Sequence, residues 1–505
     1  MELELNRTHL TGYETVLDTT VFQEETLETI VPDASPDILR LIDTQGKILL
    51  KGKAVADGRV TLTGTARLAV LYLPDGQAGP CRVEVNIPFS VSVEDRRLTS
   101  GCLVTAVPQV SGADTRTVNP RKIVTRVEIA ICVKVFAAGG STLCTGITAV
   151  GGTVEQLMES HQPTCVSALQ EKQISFEDDL NIPAGRPAAE ELINSRVELS
   201  CHESKIIGSK LIFKGEAAVQ LLYRPAGGGM AAADFTLPFS QITEVVGVGE
   251  DGACTVEMGL TGADFTLGGD GRTVSASLSM LAQAIVREER SVELLADTYS
   301  TCCPVRAEQV PYNYQVRRAE DTGRQTVREV IETGIQVGSV VDAYCTIGRT
   351  RQSREGGELR LTAELSVTAV CLTEDAGCCA VSRRLEVSCT VDVPEECTCL
   401  FSCRCGNLIA TPMADGVEVR FPVDFPYLCL QDAETVVVRD VSVENTEEGE
   451  EERRPSIVLR MMDQGERLWD VAKRYGTTTE DIVRANELES EQPCGGTLLL
   501  IPRKR

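Results

Sequence analysis

Residues 60–73 read VTLTGTARLAVLYL, and residues 211–224 (LIFKGEAAVQLLYR) and 359–372 (LRLTAELSVTAVCL) repeat the same alternation of apolar and polar side chains. Apolar residues at every second position are typical of a β-strand with one buried face. A slip of one residue would turn that face to water, so a matching phase in all three stretches indicates one fold used three times.

The sequence around each of these strands repeats as well. We expect a short helix leading into a strand before each one, a further strand starting at Cys102, Cys254 and Cys397, and a closing hairpin partner around Val124, Val274 and Val419. We place the three repeats at residues 15–150, 165–290 and 305–435. The expected helices rest on apolar residues at matching places: Leu41, Ile42 and Ile48; Leu192, Ile193 and Leu199; Val330, Ile331 and Val337.

Length and composition agree with this division. The chain has 505 residues, enough for three β domains and one small domain, and aromatic residues make up only 4%. We therefore predict a mainly β protein: three tandem, homologous, antiparallel β-sandwich-like domains with cores of aliphatic residues and cysteine. The net charge of -25 opposes nonspecific binding to nucleic acid or to anionic membranes.

The first ten residues are polar and acidic, without the basic and apolar regions of a secretory signal. The longest apolar runs, such as residues 68–73, have the length of a strand and fall far short of the ~20 residues that a membrane helix needs. We expect a soluble chain without membrane insertion that stays in the cytoplasm.

The twenty cysteines allow three interpretations. Disulfides are typical of secreted chains, and the CxCx3CxC array of Cys397, Cys399, Cys403 and Cys405 suggests a metal site. In an extended strand, however, these four sulfur atoms would spread over about 26 Å and could not surround one ion. Cys397 and Cys399 also match core positions of the other repeats, so we favour cysteines that act as small buried hydrophobic residues.

Catalytic patterns are sparse. His9, His161 and His202 lie in different segments without a nucleophile motif. Gly247, Gly249 and Gly252 match GxGxxG, but a strand pattern follows them where phosphate binding needs a helix, so we interpret them as a turn. We predict that the chain is not an enzyme, with no catalytic site, no metal site and no cofactor.

The C-terminal part has a different pattern. Residues 444–455 are crowded with glutamate and predict a flexible acidic linker. Beyond it, Leu468, Val471, Ala472 and Tyr475 form a helical stripe that Gly476 would cap, and Thr477 or Thr478 would begin a second helix. Strand-like ends complete a small βααβ domain at residues 456–503.

This domain resembles the LysM family. The resemblance rests on Gly465 to Ala472, on Tyr475 to Thr478, on Asn486 to Leu488 and on Gly496 to Pro502. It implies a shallow groove that binds N-acetylglucosamine-containing glycan or a protein partner. The groove would be lined by Gly465, Glu466, Arg467 and Leu468 on one side and by Ile482, Asn486, Glu487 and Leu488 on the other.

The order of three β repeats, an acidic linker and a LysM domain resembles that of the SPOCS-domain spore-coat morphogenesis proteins of the SipL type. The resemblance implies a non-enzymatic scaffold in the mother-cell cytoplasm that docks through its LysM domain on the spore-morphogenetic ATPase SpoIVA at the forespore surface. Coat proteins would be further partners. The alternative is a protein that binds peptidoglycan or a chitin-like glycan. Trp469, the only tryptophan, would lie at the edge of the LysM core with its ring partly exposed, either as an interface residue or as a core residue.

Overall fold

The computed structural model describes residues 2–76, 79–373, 377–414, 416–444, 456–488 and 496–503, and it is built almost entirely of antiparallel strands. Repeat 1 consists of β1 (Glu2–Ile30), β2 (Ile38–Ala56), β3 (Arg59–Pro74), β4 (Cys81–Glu94), β5 (Leu103–Asn119) and β6 (Lys122–Val150). After β7 (Val154–His161), repeat 2 consists of β8 (Thr164–Asn181), β9 (Ala189–Ile207), β10 (Lys210–Pro225), β11 (Ala231–Glu244), β12 (Ala253–Leu267) and β13 (Thr273–Glu289).

The third repeat follows β14 (Val292–Ser300). It consists of β15 (Val305–Glu332), β16 (Val337–Glu355), β17 (Glu358–Thr373), β18 (Cys378–Val391), three short strands and β22 (Gly416–Val443). The short strands are β19 (Cys397–Phe401), β20 (Arg404–Cys405) and β21 (Ile409–Met413). The C-terminal domain consists of β23 (Ile457–Met461), α1 (Leu468–Tyr475), α2 (Thr479–Ala485) and β24 (Leu498–Pro502).

Each repeat is a sandwich of two sheets, which confirms the predicted fold class. In repeat 1 the sheet β2-β3-β4 faces the strands β1-β6-β5, and the equivalent strands pair in the same order in repeat 2 and, with β19 in place of β5, in repeat 3. The quoted stretches are β3, β10 and β17, the central strands of the three-stranded sheets. Their inward faces fill three separate cores.

The predicted helices before these strands are wrong. Residues 38–56 form strand β2, whose pairing with β3 is shifted between Ile38 and Arg40 and again between Leu41 and Asp43. These β-bulges place two neighbouring residues opposite one partner and break the simple alternation, so the apolar spacing imitates that of a helix. Among the described residues the only α-helices are α1 and α2, and neither is long and apolar enough to cross a bilayer.

In repeat 3 the predicted match of apolar residues to those of repeats 1 and 2 is also wrong. Val330 and Ile331 lie at the end of β15, and Val337 begins β16. The register of β16 on β17 makes Val340, Val341 and Ile347 the counterparts of Leu41, Ile42 and Ile48.

Two tyrosines show how closely repeats 1 and 2 agree. The hydroxyl of Tyr72 donates to the carbonyl of Pro36, and that of Tyr223 to the carbonyl of Pro187, both at 3.0 Å. Both rings are fully buried. The third repeat has the buried Cys371 at this position, so it retains the packing and loses the hydrogen bond.

The three repeats pack against one another around a shared centre. Leu71, Leu222 and Val370 occupy the same position of β3, β10 and β17, on the face that points away from each sandwich core. All three are nevertheless buried, in one apolar cluster to which every repeat contributes. A pseudo-threefold arrangement of the repeats covers this second face.

A polar junction lies beside that cluster. Asp43, Asn194 and Asp342 stand at one equivalent position of the three repeats, because they pair with Leu71, Leu222 and Val370, respectively. Gln45, Arg196 and Tyr344 stand two residues further on. These six residues, one pair from each repeat, are joined by hydrogen bonds and form what we call the polar junction.

The ends of the sandwiches extend into a second assembly, which we call the stem. The ends of β1 and β6 and those of β15 and β22 continue as paired strands beyond their sandwiches, and β7 pairs with β14 beside them. Two apolar clusters hold the stem together, with Leu143, Leu294 and Val437 in one and Cys144, Leu295 and Val438 in the other. The stem therefore receives one ribbon from repeat 1, one from repeat 3 and one from the two segments that flank repeat 2.

Candidate functional site

The C-terminal domain folds as its sequence predicts. Gly476 ends α1 in the left-handed conformation, with φ at 65°. The Thr478 hydroxyl accepts a hydrogen bond from the Asp481 backbone N–H at 3.1 Å and so caps α2. The predicted acidic linker falls almost wholly on residues 445–455, which lie outside the described residues.

Three of the nine predicted site residues belong to the core of this domain. Leu468 and Ile482 are 2% and 0% exposed, and they pack with Val471, Ala472 and Ile501. Trp469 lies in the same cluster. Their burial leaves Leu468 and Ile482 without a surface for a ligand, and both pack in the core beneath the predicted groove.

The side chain of Asn486 forms hydrogen bonds with the backbone. The amide nitrogen donates to the carbonyls of Ile482 at 2.8 Å and Leu500 at 2.7 Å, and the amide oxygen accepts from the N–H of Leu500 at 2.7 Å. These bonds tie the end of α2 to β24. Glu487 follows with a φ of 51°, which turns the chain sharply and leaves its side chain exposed.

Glu466 and Arg467, the two charged residues on one side of the predicted groove, differ in their surroundings. Glu466 is largely buried, at 2.9 Å from the guanidinium of Arg460. Arg467 is exposed and pairs with Asp470 at 3.1 Å, and this hydrogen bond raises the pKa of Arg467. Gly465 is exposed and Leu488 is half-buried. The accessible part of the predicted groove thus consists of Gly465, Arg467, Glu487 and, in part, Leu488.

Trp469 makes the contact that the sequence did not reveal. Its indole N–H donates to the Asp297 carboxylate at 2.9 Å, and the ammonium of Lys473 lies 2.7 Å from both oxygens of that carboxylate. Trp469 is only 8% exposed, so the prediction of a partly exposed ring is wrong. The stem covers the ring at the edge of the LysM core.

Tyr299 completes this contact. Its hydroxyl donates to the carbonyl of Thr477 at 2.8 Å, and its ring meets that of Trp469 edge-on at 4.8 Å between centroids. Burial raises the pKa of Tyr299 well above its usual value. We call Asp297, Tyr299, Trp469, Lys473 and Thr477 the latch. It joins the C-terminal domain to β14 of the stem.

Nothing in the sequence singled out Asp297 and Tyr299, because β14 lies between the expected second and third repeats. Its pairing with β7 is shifted between Leu295 and Asp297. Such a bulge re-aims the side chains that follow it. Only the tertiary structure shows which face of β14 receives the C-terminal domain.

The cysteines of the described residues are free, and most are buried or half-buried. Cys399 packs in the core of repeat 3 together with Cys389 and Cys429. The Cys405 sulfur lies 3.3 Å from that of Cys345. No group of three or more His, Cys, Asp or Glu side chains in the described part of the chain is arranged to hold a metal ion.

The other sequence candidates are structural. His9 bonds to Thr142 at 3.1 Å and His161 to the Tyr314 hydroxyl at 2.9 Å, while His202 is exposed. Gly247, Gly249 and Gly252 lie in the turn between β11 and β12, as predicted, and no helix follows them.

Comparison with protein families identifies two kinds of domain in the chain. The SipL, SPOCS domain model matches residues 37–117 and 188–267, which lie in repeats 1 and 2, and the LysM domain model matches residues 463–502. Repeat 3 lies outside the matched ranges although it shares the strand order of the other two. No curated protein and no solved structure is significantly similar to the chain.

Proposed function

We propose that this chain, which carries SPOCS domains of the SipL type and a C-terminal LysM domain, is a non-enzymatic scaffold in bacterial spore-coat assembly. Both matched families are binding or scaffold domains. The single observation that carries the proposal is the combination of repeated sandwiches with one LysM domain held against them by the latch. Such an architecture offers a large rigid surface and one specialised binding unit.

In this proposal the LysM domain docks on the spore-morphogenetic ATPase, SpoIVA, at the surface of the forespore, and the protein acts from the mother-cell cytoplasm. Arg467 and Glu487 would contribute polar contacts from the accessible part of the groove. Coat proteins would bind the sandwiches, where the net charge of -25 favours partners with basic surfaces.

The LysM match favours a second candidate, the binding of N-acetylglucosamine-containing glycan. Sites for small ligands combine apolar or aromatic walls with a few free polar groups. Here the Trp469 ring is covered by the stem, the Asn486 amide is bonded to the backbone, and the ring of Tyr475 lies against the guanidinium groups of Arg460 and Arg503. This use of polar and aromatic groups within the chain supports a protein partner over a sugar.

Direct binding distinguishes the two candidates. Purified full-length chain should bind the purified ATPase in solution and should stay in the supernatant when it is mixed with insoluble peptidoglycan and centrifuged. Cosedimentation with peptidoglycan, without binding to the ATPase, would replace the scaffold proposal with glycan binding. A chain with Arg484→Ala, an exposed LysM residue outside the predicted groove, serves as the control for nonspecific charge effects.

A further inference from the structure

The small sheet of the LysM domain has an apolar face that points away from its core. β23 and β24 pair antiparallel, and residues directly opposite one another in such a pair point to the same face. Val458, Leu499 and Ile501 point inward and pack in the LysM core. The other face, which we call the outer face, consists of three opposed pairs: Ile457 with Pro502, Leu459 with Leu500, and Met461 with Leu498.

The outer face is open to solvent. Ile457, Leu459, Met461 and Leu498 are 57%, 65%, 62% and 59% exposed, and none of the six residues is charged. A sheet with water on one side normally carries polar residues there. Clustered apolar exposure on a soluble domain marks an interaction surface, whereas single exposed apolar residues are ordinary.

The neighbouring segments of the chain offer little that could cover this face. The two longer segments outside the described ranges read NTEEGEEERRP (445–455) and ESEQPCG (489–495), and neither contains a large apolar side chain. These two segments offer no apolar occupant for the outer face, which favours an occupant from another molecule.

The size of the face argues against a second copy of this chain. Five residues at ~3.4 Å each, on two strands ~4.8 Å apart, give a surface of roughly 17 by 10 Å. A stable dimer buries about 800 Å² on each partner, several times this area. Two copies that each carry a charge of -25 would also repel one another.

We propose that the outer face receives a short apolar segment of the protein partner on which the LysM domain docks; this inference rests on the proposed function. The pairing of the hairpin continues past the sheet, because the Met462 N–H donates to the Thr497 carbonyl and the Gly496 N–H to the Met462 carbonyl, at 3.0 and 2.8 Å, and Gly465 of the predicted groove follows three residues after Met462. The interface then has an apolar centre on the sheet and a polar rim at Arg467 and Glu487. This is the usual arrangement of a specific protein interface.

Two full-length variants test the assignment against the purified ATPase. The double variant Leu459→Lys, Met461→Lys places charges on the outer face, and the double variant Arg467→Ala, Glu487→Ala removes the exposed groove charges. We expect the first to weaken binding by about tenfold or more, as for residues at the centre of an interface, and the second by only a few fold. Unchanged Trp469 fluorescence and melting temperature show that both variants remain folded and latched.

The alternative results are distinct. A large loss in the groove variant with normal binding by the outer-face variant overturns the inference and leaves the proposed function intact. A wild-type dimer that the Leu459→Lys, Met461→Lys variant dissociates in analytical ultracentrifugation also overturns it, in favour of a second copy. Failure of the wild-type chain to bind the ATPase overturns the proposed function, and the inference with it.

Discussion

The indole nitrogen of Trp469 lies 2.9 Å from a carboxylate oxygen of Asp297, although 172 positions separate the two residues in the chain. The bond joins the LysM domain to the stem, and the stem is built from strands of repeats 1 and 3 and from the two strands that flank repeat 2. The LysM domain is therefore held in a defined orientation on the scaffold. Its outer face and groove remain available to a partner while the tryptophan is used within the chain.

Replacing Asp297 should release the LysM domain from the stem. Asp297→Ala leaves the indole N–H and the Lys473 ammonium without their acceptor, which costs about 1–3 kcal/mol for a buried donor. Because Trp469 is the only tryptophan, its fluorescence reports the latch directly. We expect the emission to shift to longer wavelength, with the thermal unfolding of the sandwiches unchanged.

Asp440 provides the matched control. It lies in β22 of the stem, its side chain is 63% exposed, and its carboxylate lies 4.0 Å from the guanidinium of Arg7. Asp440→Ala should leave the emission spectrum as in the wild type. A red shift of equal size in both variants, or in neither, would contradict the latch.

The polar junction should be important for stability. Asp342 is 3% exposed, and its carboxylate accepts from Arg196 at 3.0 Å and from Gln45 at 3.0 Å. Removing one partner of a buried ion pair costs about 3–5 kcal/mol because the other charge stays buried. Asp342→Ala should lower the urea midpoint clearly, whereas Asp264→Ala, which removes a 70% exposed partner of Arg67, should change stability by at most about 1 kcal/mol. Equal midpoints for the two variants would count against this packing of the repeats.

Asp43 makes the same junction sensitive to pH. Burial raises the pKa of its carboxyl above the usual 3.8, although the Gln45 amide and the Tyr344 hydroxyl donate to it. The folded state thus holds this proton more tightly than the unfolded state. Its contribution favours folding below pH ~4 and is lost as the pH rises through the folded-state pKa.

Asp43→Asn removes this titration, and Asn194 at the equivalent position of repeat 2 shows that an amide fits there. Relative to the wild type, the variant should gain stability as the pH is raised above ~4. Urea midpoints measured from pH 4 to pH 7 give the difference. A difference that stays constant over this range would show that Asp43 titrates normally.

Oxidation should link Cys345 to Cys405 before other described thiols. Their sulfur atoms lie 3.3 Å apart, and hydrogen bonds from Cys345 and Cys403 lower the pKa of Cys405, which favours its reactive thiolate. Treatment with diamide, which takes up the two protons and two electrons, followed by nonreducing peptide mapping should find this disulfide. Cys345→Ser should abolish it. Modification of the exposed Cys302 alone would contradict the expected order.

The repeated strands could be predicted because one face of each is buried within its own sandwich. The sequence also contained a sign that the repeats pack together. Leu71, Leu222 and Val370 are apolar at the same position of all three copies, on the strand face that points away from the sandwich core. Burial of a second face requires a neighbour, and sequence periodicity does not say which one. Bulges near Arg40 and Asp43 also interrupt the alternation of apolar and polar residues in β2, so that its sequence resembles a helix.

The LysM helices and their caps followed from local chemistry at Gly476 and Thr478, where one residue decides the backbone. The latch could not be predicted from local chemistry, because it joins Trp469 to β14, a strand that lies outside the repeat pattern. Long-range contacts of this kind depend on the register of β14 after its bulge. The groove residues Arg467 and Glu487 remain a proposal that rests on the LysM resemblance.

The proposed function depends on the LysM domain directing the scaffold to the forespore. The most direct measurement is the position of a fluorescently tagged full-length protein in sporulating cells, compared with the same protein lacking residues 456–505. We predict a ring around the forespore that becomes diffuse when the LysM domain is deleted. A ring that persists without these residues would contradict the account.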